Sequence, residues 1–279
     1  MMRPHRLPKP VRSILAGGEA LSNPSEQYRD ATNLSARIDL HRRFSTNPYG
    51  WQRWVFDQLD LPPRCRILEL GCGTAALWRD NLDRIPPGWD ITLTDASPGM
   101  LEEARRALTG RPGFSFDVID ARGTPWNLPQ ASLDAVLANH MLFYVPDKPA
   151  AFSEIRRLLK PGGQLYATTM GERNLAEIPA LVQGLEPALT SWEHAKLSFT
   201  LENGTAQLAG CFARVTLRRY EDSLRVTEVE PLVRYILSAE PRYDAELERQ
   251  VRVRVQHEMD AHGGVLCIQK DAGMFVGVA

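Results

Sequence analysis

The stretch Arg66-Ile67-Leu68-Glu69-Leu70-Gly71-Cys72-Gly73-Thr74-Ala75 decides the fold. Residues 66–70 form a short apolar run of strand type, and Gly-Cys-Gly follows at once. Glycine there lets the backbone turn sharply and approach a ligand, because no Cβ stands in the way. A helical pattern then covers 75–85 and stops at Pro86-Pro87. Taken alone the motif has more than one reading. Gly71, Gly73 and Ala76 also fit the dinucleotide pattern G-x-G-x-x-G/A, and a tight turn with no ligand would look the same.

The pattern continues outward from this turn. A strand is expected over 90–94, with Asp95 at its end. Ser97-Pro98 then opens a helix, Ser as cap and Pro in the first turn, which runs to about Leu108 and ends at Gly110. A third strand covers 114–119 and leads into Asp120-Ala121. The unbroken apolar run Ala135-Val136-Leu137-Ala138 marks a fourth strand over 134–138, buried on both faces as in a parallel sheet. A helix over 150–159 turns Phe152, Ile155, Leu158 and Leu159 inward. Lys160-Pro161-Gly162-Gly163 is a turn, and a fifth strand covers 164–169. Strands alternating with helices predict an α/β fold with a doubly wound, mostly parallel sheet.

The flanks divide less cleanly. Residues 1–24, rich in Pro, Arg and Gly, are expected to be a poorly ordered tail. Residues 25–62 read as a helical lid. Tyr28, Ala31, Leu34, Ile38 and His41 recur at helical steps, Asn47-Pro48 breaks the helix, and a shorter one carries Trp51, Trp54, Val55 and Leu59. Residues 63–170 are the core. Residues 171–240 are long for a connection and read as a cap, with helices over 175–185, 199–210 and 228–237 and a strand over 212–220. Residues 241–279 hold a charged helix over 243–262 and two strand-like runs around Asp271-Ala272-Gly273. All of this is expected to form one domain.

Composition narrows the class. With 33 Lys and Arg against 34 Asp and Glu, the net charge is −1, so no global field draws in polyanions. This speaks against nucleic acid as a partner. Cys65, Cys72, Cys211 and Cys267 form no C-x-x-C pair and have no His at metal spacing, as expected of reduced cytosolic thiols. The basic N-terminus has only Ser13-Ile14-Leu15-Ala16 as an apolar run, too short for a signal segment, and no stretch is long enough to span a bilayer. The expectation is a cytoplasmic monomer or homodimer with no membrane partner.

Two acids stand where chemistry is expected. In an open α/β sheet, ligands bind at the carboxyl ends of the strands. Asp95 there can accept hydrogen bonds from two ribose hydroxyls, and it also suits a helix N-terminus. Asp120 can accept from the exocyclic amine of an adenine. A nicotinamide-dinucleotide domain does not need that second acid.

The motifs ILELGCGTA, LTDASPGML, DVIDA, LANHMLFYV and LLKPGGQLYATT, in this order from Arg66 to Thr169, resemble the class I S-adenosylmethionine-dependent methyltransferases. The resemblance implies a seven-stranded Rossmann-like sheet and S-adenosylmethionine as cofactor, with S-adenosylhomocysteine as product. It places Glu69, Gly71, Cys72 and Gly73 at the methionine part of the cofactor and Asp95 at the ribose. Ala96 and Met100 lie beside the adenine, Asp120 and Ala121 at its edge, and Asn139 near the sulfonium. Ala75 departs from the third glycine that many relatives carry. The segment YRDATNLSARIDLHRRFSTNPYGWQRW resembles a subset acting on small molecules, in which N-terminal helices cover the cofactor. There Tyr28 is a candidate cofactor contact.

The expected reaction transfers a methyl group to an O, N or C atom of a small-molecule acceptor. His140 is the candidate base, because histidine titrates near neutrality and this one follows the fourth strand. Tyr144 is a second candidate contact, and Trp51, Trp54 and Trp192 are candidates to line the acceptor pocket. His194 is unplaced. The fourth and fifth strands end in Asn139-His140 and Thr168-Thr169-Met170, not in clustered acids, so no metal is expected. Three other readings compete: an rRNA or tRNA methyltransferase, a non-methylating enzyme that binds the same cofactor, and a nicotinamide-dependent oxidoreductase.

Overall fold

The computed structural model describes residues 31–185, 198–240 and 243–279. Tyr28, Trp192, His194 and the tail over 1–24 lie outside them. The sheet elements are β1 (Arg64–Leu70), β2 (Gly88–Asp95), β3 (Phe114–Val118), β4 (Leu133–Asn139), β5 (Leu159–Met170), β6 (Arg214–Tyr220) and β9 (Ala272–Val278). They form one seven-stranded sheet in the order β3-β2-β1-β4-β5-β9-β6. β1 to β5 run parallel, and β9 lies antiparallel between β5 and β6. The doubly wound, mostly parallel sheet expected from the sequence is present. β1 has β2 on one side and β4 on the other, so the strand order reverses at its carboxyl end, the place where such sheets bind ligands.

Helices cover both faces. The helices up to the fifth strand are α1 (Ala31–Phe44), α2 (Trp51–Asp57), α3 (Ala76–Arg79), α4 (Pro98–Ala107) and α5 (Lys148–Leu158). After it come α6 (Glu177–Val182), α7 (Gly204–Leu208), α8 (Val229–Leu237) and α9 (Ala245–Ala261). One face of the sheet packs Phe152, Ile155 and Leu158 of α5 with Phe199 and Phe275. The other packs Trp78 of α3 and Leu101 and Ala104 of α4. α4 starts as the sequence predicts: Ser97 Oγ accepts from Met100 N–H, and Pro98 sits in the first turn. Gly110 follows its end with φ +74°.

A third apolar cluster lies away from the sheet. It joins Leu40 and Phe44 of α1 to Ile178 of α6, Leu232 and Ile236 of α8, and Val251 and Val255 of α9. Beneath them is a two-stranded antiparallel ribbon of β7 (Ser223–Val226) and β8 (Leu266–Gln269). This cluster is thus assembled from three separated stretches of chain.

Several local expectations are corrected. The face of α1 is rotated: Ile38 is 51% exposed, while Leu40 and Phe44 are buried. The helix expected over 75–85 stops at Arg79, because Asn81 Nδ2 donates to Leu77 O (2.8 Å) and Gln52 O (3.0 Å) and turns the chain toward α2. Lys160–Gly163 is not a free turn but the start of β5, which shifts register against β4 there. The helix expected over 199–210 shrinks to α7, because Phe199 and Leu201 are drawn into the core.

Candidate cofactor and acceptor site

Three strands deliver the site. β1 ends in the glycine turn, where Gly71, Gly73 and Ala75 all have positive φ (67°, 54° and 56°). A left-handed backbone suits glycine and strains Ala75. The turn is held to β2: Cys72 N–H donates to Thr94 O (2.8 Å), Thr94 Oγ1 donates to Glu69 O (2.8 Å), and Gly73 N–H donates to Asp95 Oδ2 (3.0 Å). The other oxygen of Asp95 accepts from Ser97 N–H (2.8 Å). A Cβ at Gly71 would stand 3.1 Å from Met141 Cβ, whereas one at Gly73 would meet nothing within 4 Å. Gly73 therefore faces open space.

Glu69 is buried at 2% exposure, an expensive place for a carboxylate. Its Oε2 accepts from Trp78 Nε1 (2.5 Å) and its Oε1 from Asn139 Nδ2 (2.8 Å). Burial pushes its pKa up to about 7 against the pull of these two donors. Asn139 Oδ1 in turn accepts from Thr168 Oγ1 (3.3 Å), so β1, β4 and β5 are tied together at their carboxyl ends. Trp78 and Thr168 are site residues that sequence reasoning missed. Cys72 is buried in the same turn, and burial raises its thiol pKa.

Ala96 is exposed and Met100 half-buried at the start of α4. Asp120 is exposed after β3, and its carboxylate is engaged by Arg122 through Nε (2.9 and 3.1 Å) and Nη2 (2.7 Å). That bond holds Asp120 below the usual carboxylate range. Ala121 is buried among Leu70 and Ala138.

His140 follows Asn139 with φ +49°, an unusual backbone for this residue. Its N–H is shared between Thr168 O (3.1 Å) and Thr168 Oγ1 (3.0 Å). Its Nδ1 is sealed from solvent and has no hydrogen-bond partner among the described residues. Burial, with the charge of Lys270 behind it, lowers the imidazole to about 4. The expectation of titration near neutrality is therefore corrected: His140 is neutral throughout the physiological range. Tyr144 closes a single 3-10 turn (Leu142–Tyr144), with its ring 4.5 Å from that of Phe143.

Trp51 and Trp54 reach this place from α2. The Trp51 ring lies 5.1 Å from His140, 5.2 Å from Trp54 and 5.2 Å from Tyr220 at the end of β6. Behind Tyr220, Lys270 pairs with the fully buried Asp222. Asp222 also accepts from Ser45 Oγ (2.7 Å) and Asn47 N–H (3.0 Å), which fastens the end of α1 to the cap. Burial opposes ionisation of Asp222, but these donors prevail and hold it below its usual range. The sequence carried no local signal for Tyr220, Asp222 or Lys270, because strand pairing at the far end of the chain brings them here.

Among the described residues, no three His, Cys, Asp or Glu side chains gather where they could hold a metal. No described helix is long and apolar enough to cross a membrane.

The fold and the glycine turn define a nucleotide-binding α/β core. Residues 68–167 match the family model described as a methyltransferase domain, in line with the resemblance read from the sequence. The chain is 32% identical over 143 residues to malonyl-(acyl-carrier protein) O-methyltransferase 1 of Ilyobacter polytropus, covering 50% of this chain and 52% of that protein. It is 31% identical over 158 residues to the ubiquinone/menaquinone biosynthesis C-methyltransferase UbiE of Xanthomonas oryzae pv. oryzae, covering 56% and 58%. The chain thus spans about half the length of the curated relatives it matches. Phosphoethanolamine N-methyltransferase 2 of Haemonchus contortus, solved with phosphomonomethylethanolamine and S-adenosylhomocysteine, shares the fold. Its TM-score is 0.56 at 15% identity, over 91% of this chain and 59% of that one.

Proposed function

We propose that the protein transfers a methyl group from S-adenosylmethionine to an O, N or C atom of a small-molecule acceptor, without a metal. The observation that carries this reading is the joining of three strand ends at one open place. Asp95 reaches over Gly73, and Glu69 is bonded to Asn139 beside them.

The residues fit the cofactor. Gly73 leaves open space where a side chain would intrude. Each oxygen of Asp95 has one backbone donor and retains capacity for a ribose hydroxyl. Asp120 can receive an adenine amine only by sharing its carboxylate with Arg122. Glu69 and Asn139 would hold the methionine end, and Ala96, Met100 and Ala121 would border the adenine. When bound, the cofactor supplies a methyl group already activated by its sulfonium. The chain must then orient the acceptor and exclude water. His140, unprotonated at physiological pH, can accept a hydrogen bond from the acceptor on a ring nitrogen, but the burial and the Lys270 charge that keep it neutral make it a weak base. The acid-poor ends of β4 and β5 support transfer without a metal. The names of the two relatives, a carrier-bound malonyl group and quinone biosynthesis, support acceptors from small-molecule metabolism.

Isothermal titration of S-adenosylmethionine and S-adenosylhomocysteine into the wild type and Asp95→Ala tests the reading. One-to-one binding of both, weakened about tenfold or more in the variant, is expected from the loss of charge-assisted hydrogen bonds. Equal affinity in the two proteins overturns the site, and no binding to the wild type overturns the function.

A further inference from the structure

Trp78 is fully buried, yet its indole carries a polar N–H. Three rings meet it near edge to face. Phe56 of α2 lies at 6.4 Å and 85°, Trp89 of β2 at 6.4 Å and 85°, and Phe114 of β3 at 6.0 Å and 70°. Close packing of this kind leaves a large ring one orientation. In that orientation its Nε1 meets Glu69 Oε2. The helix that carries Trp78 is itself tied to α2, because Asn81 Nδ2 donates to Leu77 O and to Gln52 O. Trp78 is therefore a donor that cannot follow its partner.

The other donor to this carboxyl behaves differently. Asn139 Nδ2 donates to Glu69 Oε1 (2.8 Å), and Thr168 Oγ1 donates to Asn139 Oδ1 (3.3 Å). An amide turned half a revolution exchanges its oxygen and nitrogen within the same space. After that turn Asn139 accepts from a protonated Oε1 and donates to Thr168 Oγ1. Asn139 thus fits both forms of Glu69, whereas an indole nitrogen only donates and favours the anion. Two further titratable groups face the carboxyl: Asp95 at the end of β2, whose charge opposes ionisation, and the Cys72 thiol in the glycine turn.

We propose that Trp78 is a positioning residue of the cofactor site, whose fixed N–H holds Glu69 in the anionic form that the ammonium group of the cofactor's methionine end requires. This rests on the reading above that Glu69 and Asn139 hold that end. Any proton that reaches the carboxyl is directed to Oε1, where Asn139 turns to receive it.

Trp78→Phe keeps an aromatic ring and removes the donor. S-adenosylhomocysteine is titrated into the wild type, Trp78→Phe, Glu69→Gln and the double variant from about pH 5 to about pH 9. In the wild type the affinity should rise through about 7. In Trp78→Phe this rise should move up by about one pH unit, so that binding is about fivefold weaker at pH 7 and within about twofold of the wild type at pH 9. In the Glu69→Gln background the same substitution should cause no such shift. A loss that is equal at every pH, or no loss, would overturn the proposal. A second measurement needs neither a ligand nor the Trp78 variant. In the wild type labelled with 15N-tryptophan, one of the six indole N–H signals should titrate with a midpoint near 7 and cease to do so in Glu69→Gln. The absence of a titrating indole overturns the proposal. Failure of S-adenosylhomocysteine to bind the wild type overturns the underlying function instead, and the indole signals then still decide whether Trp78 holds Glu69.

Discussion

Asp95 Oδ2 accepts a hydrogen bond from Gly73 N–H at 3.0 Å, so the end of the second strand sets the shape of the turn that leaves the first. The two residues are 22 positions apart. The carboxylate therefore organises the protein before any ligand arrives. Asp95→Asn keeps an acceptor but loses the charge, and should cost about 1 kcal/mol of stability as well as cofactor affinity. Urea denaturation beside ligand titration measures both. A variant with full affinity and reduced stability would confine Asp95 to a structural role.

The turn itself offers a paired test. Gly71→Ala forces a Cβ to 3.1 Å from Met141 at a left-handed backbone, whereas Gly73→Ala suffers the backbone strain alone. Strain of this kind costs about 1–2 kcal/mol. Gly71→Ala should be the less stable variant in thermal melts. Gly73→Ala should lose more cofactor affinity than stability, since its new methyl enters the open space. The reverse ranking would show that the ligand does not approach Gly73.

Glu69 makes stability depend on pH. The unfolded chain releases this proton near 4.5 and the folded chain only near 7, so folding weakens as pH rises between those values and is level above 7. The shift corresponds to about 3 kcal/mol. Glu69→Gln should flatten this slope in denaturation curves from pH 4 to 8. An unchanged slope would mean that the carboxyl ionises freely inside the fold. Cofactor affinity in the wild type should rise through pH 7 as Glu69 becomes an anion, and Glu69→Gln should lose that rise.

The imidazoles of His41 and His140 act with the opposite sign. Their folded pKa values, about 4, lie below the ordinary 6.5, so stability is lost as pH falls through that interval. His140→Asn should lessen the acid sensitivity that Glu69→Gln exposes. Turnover should show no inflection from His140 between pH 5 and 8. An inflection near 6.5 that disappears in His140→Asn would show that the ring is solvated.

Asp222→Ala should destabilise the protein by about 3 kcal/mol, because it strands a buried ammonium as well as freeing Ser45 and Asn47. The double variant with Lys270→Met should recover much of the loss, as a double-mutant cycle would show. Equal losses in the single and double variants would mean that the pair is not coupled.

Much of the core was legible because its signals are local. The apolar run at Ala135–Ala138, the Ser97-Pro98 start and the Gly71–Gly73 turn each act within a few residues, and the sheet follows from their order. Asp95 was read as a candidate because it ends a strand, whereas Glu69, one residue short of the end of β1, and Asn139 were named only through the family resemblance. His140 was placed correctly, but its charge state was not, since burial and a lysine 130 positions away decide it. β7 was missed because four residues that pair with β8 and, through Leu224, with Ser45 carry too little pattern. Ile38 and His41 were read onto the same helix face, but the partner that decides which face of α1 is buried is α8, nearly 200 residues on.

The place of β9 has a consequence for how the protein is made. Among the described residues β6 is hydrogen-bonded in the sheet only to β9, which leaves the ribosome some fifty residues later. At about 5–20 residues per second, β6 waits several seconds with its pairing groups open while the strands from β1 to β5 can already associate. During that interval the nascent chain carries an open strand edge, a surface on which a neighbouring chain of the same polysome can pair.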